Sequence, residues 1–177
     1  MEPALVESDL VRAAQCGDVA AFEALITRHR TLIWSVCLRV TGNTYDAEDA
    51  LQDTLLASWR GIARFRGHSS FSTWIYRIAS NAALSVVRRR RDVPTDVVAD
   101  RLVDRDFAQA LADSDFVQQA LKTVPANFRA ALVLYEVCDL SYAQIAAHQG
   151  IGIQTVKSRI NRARKALLAV LEEAGAS

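Results

Sequence analysis

Three stretches of this sequence carry side chains whose types and spacing could do chemistry. Between Asp46 and Asp53, polar groups recur four residues apart, as Glu48/Gln52 and Asp49/Asp53, and Leu56 continues the ridge. On a helix, residues so spaced share a face. They could ligate a metal or do acid–base work, sit in water on a first helical turn, or dock a basic partner. No His, Cys or glycine-rich phosphate loop accompanies them, which argues against catalysis.

The second stretch interleaves aromatic rings with basic groups: Phe65, Arg66, His68, Phe71, Trp74, Tyr76 and Arg77, then the run Arg88 to Arg91. Rings beside guanidinium groups suit unstacked, single-stranded bases. Phe71 and Trp74 also fit an apolar helical stripe, and spacing alone favours the core for Trp74. The third stretch presents Gln154, Lys157, Ser158, Asn161, Arg162 and Lys165 on the outer side of one helix. Gln and Arg suit base edges in a major groove, whereas Lys and Ser suit phosphates. The bland alternative is a solvated basic face. Cys16, Cys37, Cys138 and the three His lie far apart without ligand spacing, so no metal, cofactor or internal redox pair is expected.

The elements that must position these groups are helical. Phe22, Leu25, Ile26, His29, Ile33, Val36, Cys37 and Val40 recur at three- and four-residue steps, which predicts a helix over 19–41 between an Asp18 cap and a Gly42 stop. A short helix capped by Ser8 precedes it. A helix starting near Asp46 ends at Gly61, and Ser69 or Ser70 caps another that stops before Pro94. Residues 93–106 show weak periodicity and read as a linker. A helix follows over 116–122, and Pro125 stands at or near the start of the next. Ser141 and Gln144 form a capping box, Gly150 ends that short helix, and a long basic helix runs over 153–173. Two helices, a tight glycine turn and a basic second helix make a helix-turn-helix pattern.

Composition agrees. Of 177 residues, 51% are hydrophobic and 23% charged, with seven Gly and three Pro, too few turn residues for an all-β chain. No apolar run approaches the ~20 residues of a membrane helix, and the first residues do not read as a secretory signal, so a soluble, cytoplasmic chain is expected. Net charge is only +1, but it is unevenly spread. Residues 1–92 hold 12 Arg against 10 acidic groups, 93–116 two Arg against six Asp, and 117–177 seven basic against four acidic. Two basic segments flanking an acidic one fit polyanion-binding modules joined by a linker. The fold expected is all-α, with helical domains over 1–92 and 107–177 joined by the acidic linker 93–106, free to move relative to one another.

These motifs resemble the extracytoplasmic-function (ECF) group of the bacterial sigma-70 family. Phe22-Glu-Ala-Leu, Ala47-Glu-Asp-Ala-Leu-Gln-Asp-Thr-Leu, Phe65-Arg and Phe71-Ser-Thr-Trp-Ile-Tyr-Arg-Ile-Ala-Ser-Asn are similar to the family's N-terminal domain. Leu140-Ser-Tyr-Ala-Gln-Ile-Ala and Thr155-Val-Lys-Ser-Arg-Ile-Asn-Arg-Ala-Arg are similar to its C-terminal domain. The resemblance implies a promoter-specificity subunit of RNA polymerase, not an enzyme. It implies that Glu48, Asp49, Gln52, Asp53 and Leu56 meet the β′ clamp helices of core polymerase, with a further contact to the β flap. It implies that Phe65, Arg66, His68, Ser69, Trp74, Arg77, Ser80, Asn81 and Arg88 open and read the promoter −10 element. It assigns the −35 element to Gln154, Thr155, Lys157, Ser158, Arg159, Asn161, Arg162, Arg164 and Lys165. An anti-sigma partner is also implied, and the acidic linker matches a segment threading toward the path of nascent RNA. Gly152 departs from the pattern, standing at the cap position where many relatives carry Ser or Pro-type residues. The competing reading is an autonomous helix-turn-helix regulator, which would have no need of the polar ridge or the Phe/Arg/Trp segment. A metal-dependent hydrolase would need ligands that are absent.

Overall fold

The computed structural model describes residues 6–92 and 115–175. The expected linker over 93–106, and the start of the C-terminal domain at 107, lie outside them. Every regular element among the described residues is helical. The N-terminal half contains α1 (Glu7–Gln15), α2 (Val19–Thr41), α3 (Thr44–Gly61), a single 3₁₀ turn (Ile62–Arg64) and α4 (Phe71–Asp92). The C-terminal half contains α5 (Asp115–Lys122), α6 (Ala126–Glu136), α7 (Tyr142–Gln149) and α8 (Ile153–Gly175).

The caps explain the boundaries. Asp18 accepts the Ala21 N–H at 3.0 Å and starts α2. Gly42 ends α2 in the left-handed conformation, φ 90°. Two expected starts shift. Val6, not Ser8, precedes α1, and no side chain caps that helix. Asn43 caps α3, which starts two residues before Asp46, by accepting the Asp46 N–H at 2.8 Å. Asp46 then sits in the first turn as a buried side chain and holds Arg90 Nη1 at 2.7 Å, tying the start of α3 to the end of α4. Ser70 caps α4 through the Thr73 N–H at 3.1 Å. Ser141 and Gln144 close both bonds of the capping box at α7, and Gly150 ends that helix in the left-handed conformation.

The N-terminal core is a packing of α2, α3 and α4. Leu25, Ile33, Val36, Cys37 and Val40 from α2 meet Ala47 and Ala50 from α3 and Ile75, Ala79, Ala83 and Val86 from α4. Thr54 and Ser58 are also fully buried on α3. Their hydroxyls donate to the carbonyls of Ala50 and Leu55 on their own helix, so neither of these two donors is left unpaired. In the C-terminal half, Ala130 to Leu134 pack with Ile145, Val156, Ile160 and Ala163.

The buried cluster runs on across the two halves, with α6 lying against α2 and α4. The polar ties across this boundary run to backbone carbonyls. Gln118 Nε2 donates to Leu38 O at 2.5 Å, and Arg77 Nη2 donates to Gln144 O at 3.2 Å. Arg129 is buried beside the boundary and donates to Leu121 O at 3.0 Å. Burial, then the like charge of Arg91, lowers its pKa from the ordinary arginine value. Gly42 is required here twice over. Its φ is left-handed, and a Cβ would stand 3.1 Å from Cγ of Lys122 in the other half.

Candidate functional site

The polar ridge lies along the outer side of α3. Asp49, Gln52 and Leu56 are exposed, Glu48 and Asp53 half-buried. Leu56 is 54% exposed, and Trp59 one turn on is also exposed, its ring centroid 5.0 Å from that of Phe22. An apolar pair beside carboxylates suits a macromolecular surface better than a small ligand. Asp53 is not free: Arg89 Nη2 bonds it at 2.8 Å. Among the described residues, no group of three or more His, Cys, Asp or Glu is placed to hold a metal.

The aromatic segment is held together by its own rings. Phe65 and Trp74 have centroids 5.1 Å apart, Phe71 and Trp74 5.6 Å, and Phe65 and Phe71 6.2 Å edge to face. Phe71 is buried, whereas Phe65 and Trp74 are half-buried. Trp74 therefore lies between the two alternatives the sequence left open, packed against Phe65 and Phe71 yet partly open to solvent. Gly61 makes room for it, since a Cβ there would stand 3.2 Å from Trp74 Cζ2. Gln15 on α1 donates to the Phe65 carbonyl at 2.7 Å and fixes the loop. Arg66, His68, Asn81 and Arg88 are exposed and Ser69 is half-buried. Trp74, Arg77, Asn81 and Arg88 follow one stripe of α4. Ser80 is not on it. It is fully buried, its Oγ lacks a partner among the described residues, and in this arrangement it cannot reach a base.

The third surface is the outer face of α8. Gln154, Lys157, Ser158, Asn161, Arg162 and Lys165 line one shallow depression, and Thr155 is exposed beside it. Val156, Ile160 and Ala163 are buried on the opposite side. Two expected members are engaged by side chains of neighbouring helices. Arg159 Nη1 bonds Gln149 Oε1 at 2.9 Å and lies 5.8 Å from the Phe128 ring centroid. Arg164 is paired with Glu136, its Nε 2.9 Å from Oε1. The thiols take no part. Burial pushes Cys37 and Cys138 up to about 12, which leaves them neutral, and Cys16 is exposed.

A ridge, an aromatic–basic stripe and a helix-turn-helix in one small helical chain have known counterparts. The family description Sigma-70 region 2 matches residues 25–93, and Sigma-70, region 4 matches residues 117–167. The RNA polymerase sigma-H factor of Pseudomonas aeruginosa is 34% identical over 91% of each chain. The ECF RNA polymerase sigma factor SigM of Mycobacterium tuberculosis is 34% identical over 93% of this chain and 84% of its own. SigW of Bacillus subtilis is 29% identical over 89% and 92%. Among solved structures, CnrH in complex with the cytosolic domain of CnrY superposes with a TM-score of 0.68 at 26% identity, covering 94% of this chain and 97% of that one. RpoE in complex with the anti-sigma factor NepR from Bartonella quintana gives 0.70 at 27%, covering 87% and 98%. The chain belongs to the sigma-70 family, in its ECF group. It is therefore a transcription initiation factor and not an enzyme.

Proposed function

We propose that the α3 ridge docks on the β′ clamp helices of core RNA polymerase, that the Phe65–Arg88 segment opens and reads the −10 element, and that the outer face of α8 reads the −35 duplex. The observation that carries this reading is the separation of faces. Six polar and basic side chains of α8 line one open depression, while the residues behind them are buried. A helix so divided can enter a major groove without disturbing its own support. The half-exposed Phe65 and Trp74 beside Arg66 and Arg77 offer stacking surfaces and cations for separated bases.

An autonomous duplex-binding regulator would use α8 alone. The exposed Leu56 and Trp59 beside Asp49 and Gln52 favour a chain that also docks on a large partner. An anti-sigma protein covering the ridge, the α8 face or both fits the complexes in which the two structural relatives were solved. The described helices include none long and apolar enough to cross a membrane, and the site of action proposed is the cytoplasm, with the polymerase.

The test is promoter-dependent transcription. The chain would be combined with sigma-free bacterial core polymerase on fragmented genomic DNA from its source, and transcript starts mapped. Starts sharing two spaced upstream elements are expected. No initiation, with tight duplex binding by the chain alone, would favour the autonomous regulator. Reversing Glu48 and Asp53 to Lys together should abolish core binding, and unchanged binding would overturn the assignment of the ridge.

A further inference from the structure

Two tyrosines of the C-terminal half are stacked face to face. Tyr135, near the end of α6, and Tyr142, the first residue of α7, have ring centroids 4.7 Å apart and planes within 2° of parallel. A cation from α8 lies over each ring: Lys157 Nζ is 5.6 Å from the Tyr142 centroid, and Arg164 Cζ is 5.3 Å from that of Tyr135. Lys157 and Arg164 are two helical turns apart, so both project from one side of α8. The electron-rich faces of the rings attract them. The stack thereby connects three helices through side chains that are each only half-buried or exposed.

The two cations differ in what else holds them. Arg164 gives Nε and Nη2 to the same Glu136 carboxylate oxygen, so it is committed to α6. Lys157 has no ion pair among the described residues and lines the open depression on α8. Its ammonium is steered by the ring but keeps its hydrogen-bond donors. A flexible lysine held near its bound position loses less freedom when it meets a phosphate.

We propose that Tyr142, braced by Tyr135, is a positioning residue that holds the Lys157 ammonium where it meets a duplex phosphate, and that Arg164 is a strut between α8 and α6 rather than a DNA contact. This rests on the reading of α8 as the duplex-facing helix. Neither tyrosine lines the depression on α8. Each acts through a cation.

The test uses the full chain and a mixed-sequence DNA duplex, with binding measured across a series of salt concentrations. A phosphate contact adds about 0.9 to the slope of log affinity against log salt. Lys157→Ala should lower that slope by about this amount. Tyr142→Leu should weaken binding about two- to fivefold, the size of an exposed cation–π contact, and Tyr142→Phe should bind as wild type. In the Tyr142→Leu background, Lys157→Ala should cost less than it does alone. Arg164→Ala should lower the thermal midpoint and leave the slope unchanged.

Full additivity of Tyr142→Leu and Lys157→Ala, or wild-type binding by Tyr142→Leu, would overturn the proposal. A slope lowered by Arg164→Ala would overturn the strut. Arg162→Ala separates the two levels. If it weakens binding and Lys157→Ala does not, α8 faces DNA and the proposal alone fails. If neither matters, the reading of α8 fails and the proposal with it. Should Tyr142→Leu not fold, the side-chain resonances of Lys157 decide in the folded proteins: an upfield ring-current shift kept in Tyr142→Phe supports the contact, and its absence in wild type overturns it.

Discussion

The guanidinium of Arg77, in the middle of α4, donates a 3.2 Å hydrogen bond to the backbone carbonyl of Gln144 in α7. Arg77 lies on the stripe proposed to meet the −10 strand, so one side chain has two claimants. A base that takes the Nη2 donor would have to displace the α7 carbonyl. Strand binding should therefore release α7 from α4. A chain labelled at the exposed Cys16 and at Glu172→Cys, with Cys138 replaced by Ala, would report this by energy transfer. Addition of core polymerase and a −10 single strand should lower the transfer efficiency. Undiminished transfer with the strand bound would show that the two contacts coexist.

His148 on α7 gives this boundary a pH dependence. Desolvation, then the positive charge of Arg77, lowers its pKa from 6.5 to about 4. A histidine with a lowered folded-state pKa contributes its full stability above the ordinary value and loses it as pH falls, because the unfolded chain takes the proton first. Between pH 6.5 and about 4 the wild-type thermal midpoint should fall more steeply than that of His148→Gln. Parallel slopes for the two proteins would exclude this residue as the cause.

Asp46 joins the α3 ridge to the basic end of α4. Its side chain is 5% exposed and accepts from both Arg90 Nη1 and Asn43 Nδ2 at 2.7 Å. Asp46→Ala should cost about 2 kcal/mol, the loss expected for hydrogen bonds to a buried charge. Arg90→Ala should cost less than about 1 kcal/mol, because its own charge is partly in water. Chemical denaturation of the two variants checks the order. A reversed order would mean that Arg90 does more than neutralise Asp46.

Gly152 precedes α8 without needing to be glycine. Its φ is not left-handed, and a Cβ would meet only Thr155 Oγ1 at 3.9 Å. Its carbonyl already accepts the Val156 N–H at 3.1 Å, as a cap residue's should. Gly152→Ser should leave the thermal midpoint unchanged or raise it slightly, since Ser and Gly differ by only a few tenths of a kcal/mol at this position. A clear fall would show a backbone requirement that the geometry does not contain.

Where capping chemistry is local, the helices could be read directly. Asp18, Gly42, Ser141, Gln144 and Gly150 all act where their residue types predict. Asn43 was missed as a cap because Asp46, Glu48 and Asp49 resemble a first turn on their own. The seam between the halves was illegible for a different reason. Gln118 and Arg77 reach backbone carbonyls across it, and a carbonyl leaves no mark on the residue type that carries it. Burial of Ser80 follows from close helix packing, which periodicity alone does not reveal for a small polar residue, whereas Thr54 and Ser58 fall on the core-facing stripe that the spacing of α3 predicts. The pairing of Arg159 with Gln149 and of Arg164 with Glu136 is not legible in spacing, because long side chains at the border of a basic face can swing either way.

Helix α8 is divided lengthwise between residues that hold it in place and residues that hold nothing else in place. Gln154, Ser158, Asn161, Arg162 and Lys165 can change without touching Val156, Ile160, Ala163 or the Arg164–Glu136 pair. On the proposed reading of α8, the promoter address is written on a surface that supports little of the fold. Duplicated copies of such a gene could drift to new regulons by a few substitutions, each viable at every step. An engineer could transplant those five side chains from a relative and redirect the factor while its scaffold stays as it was.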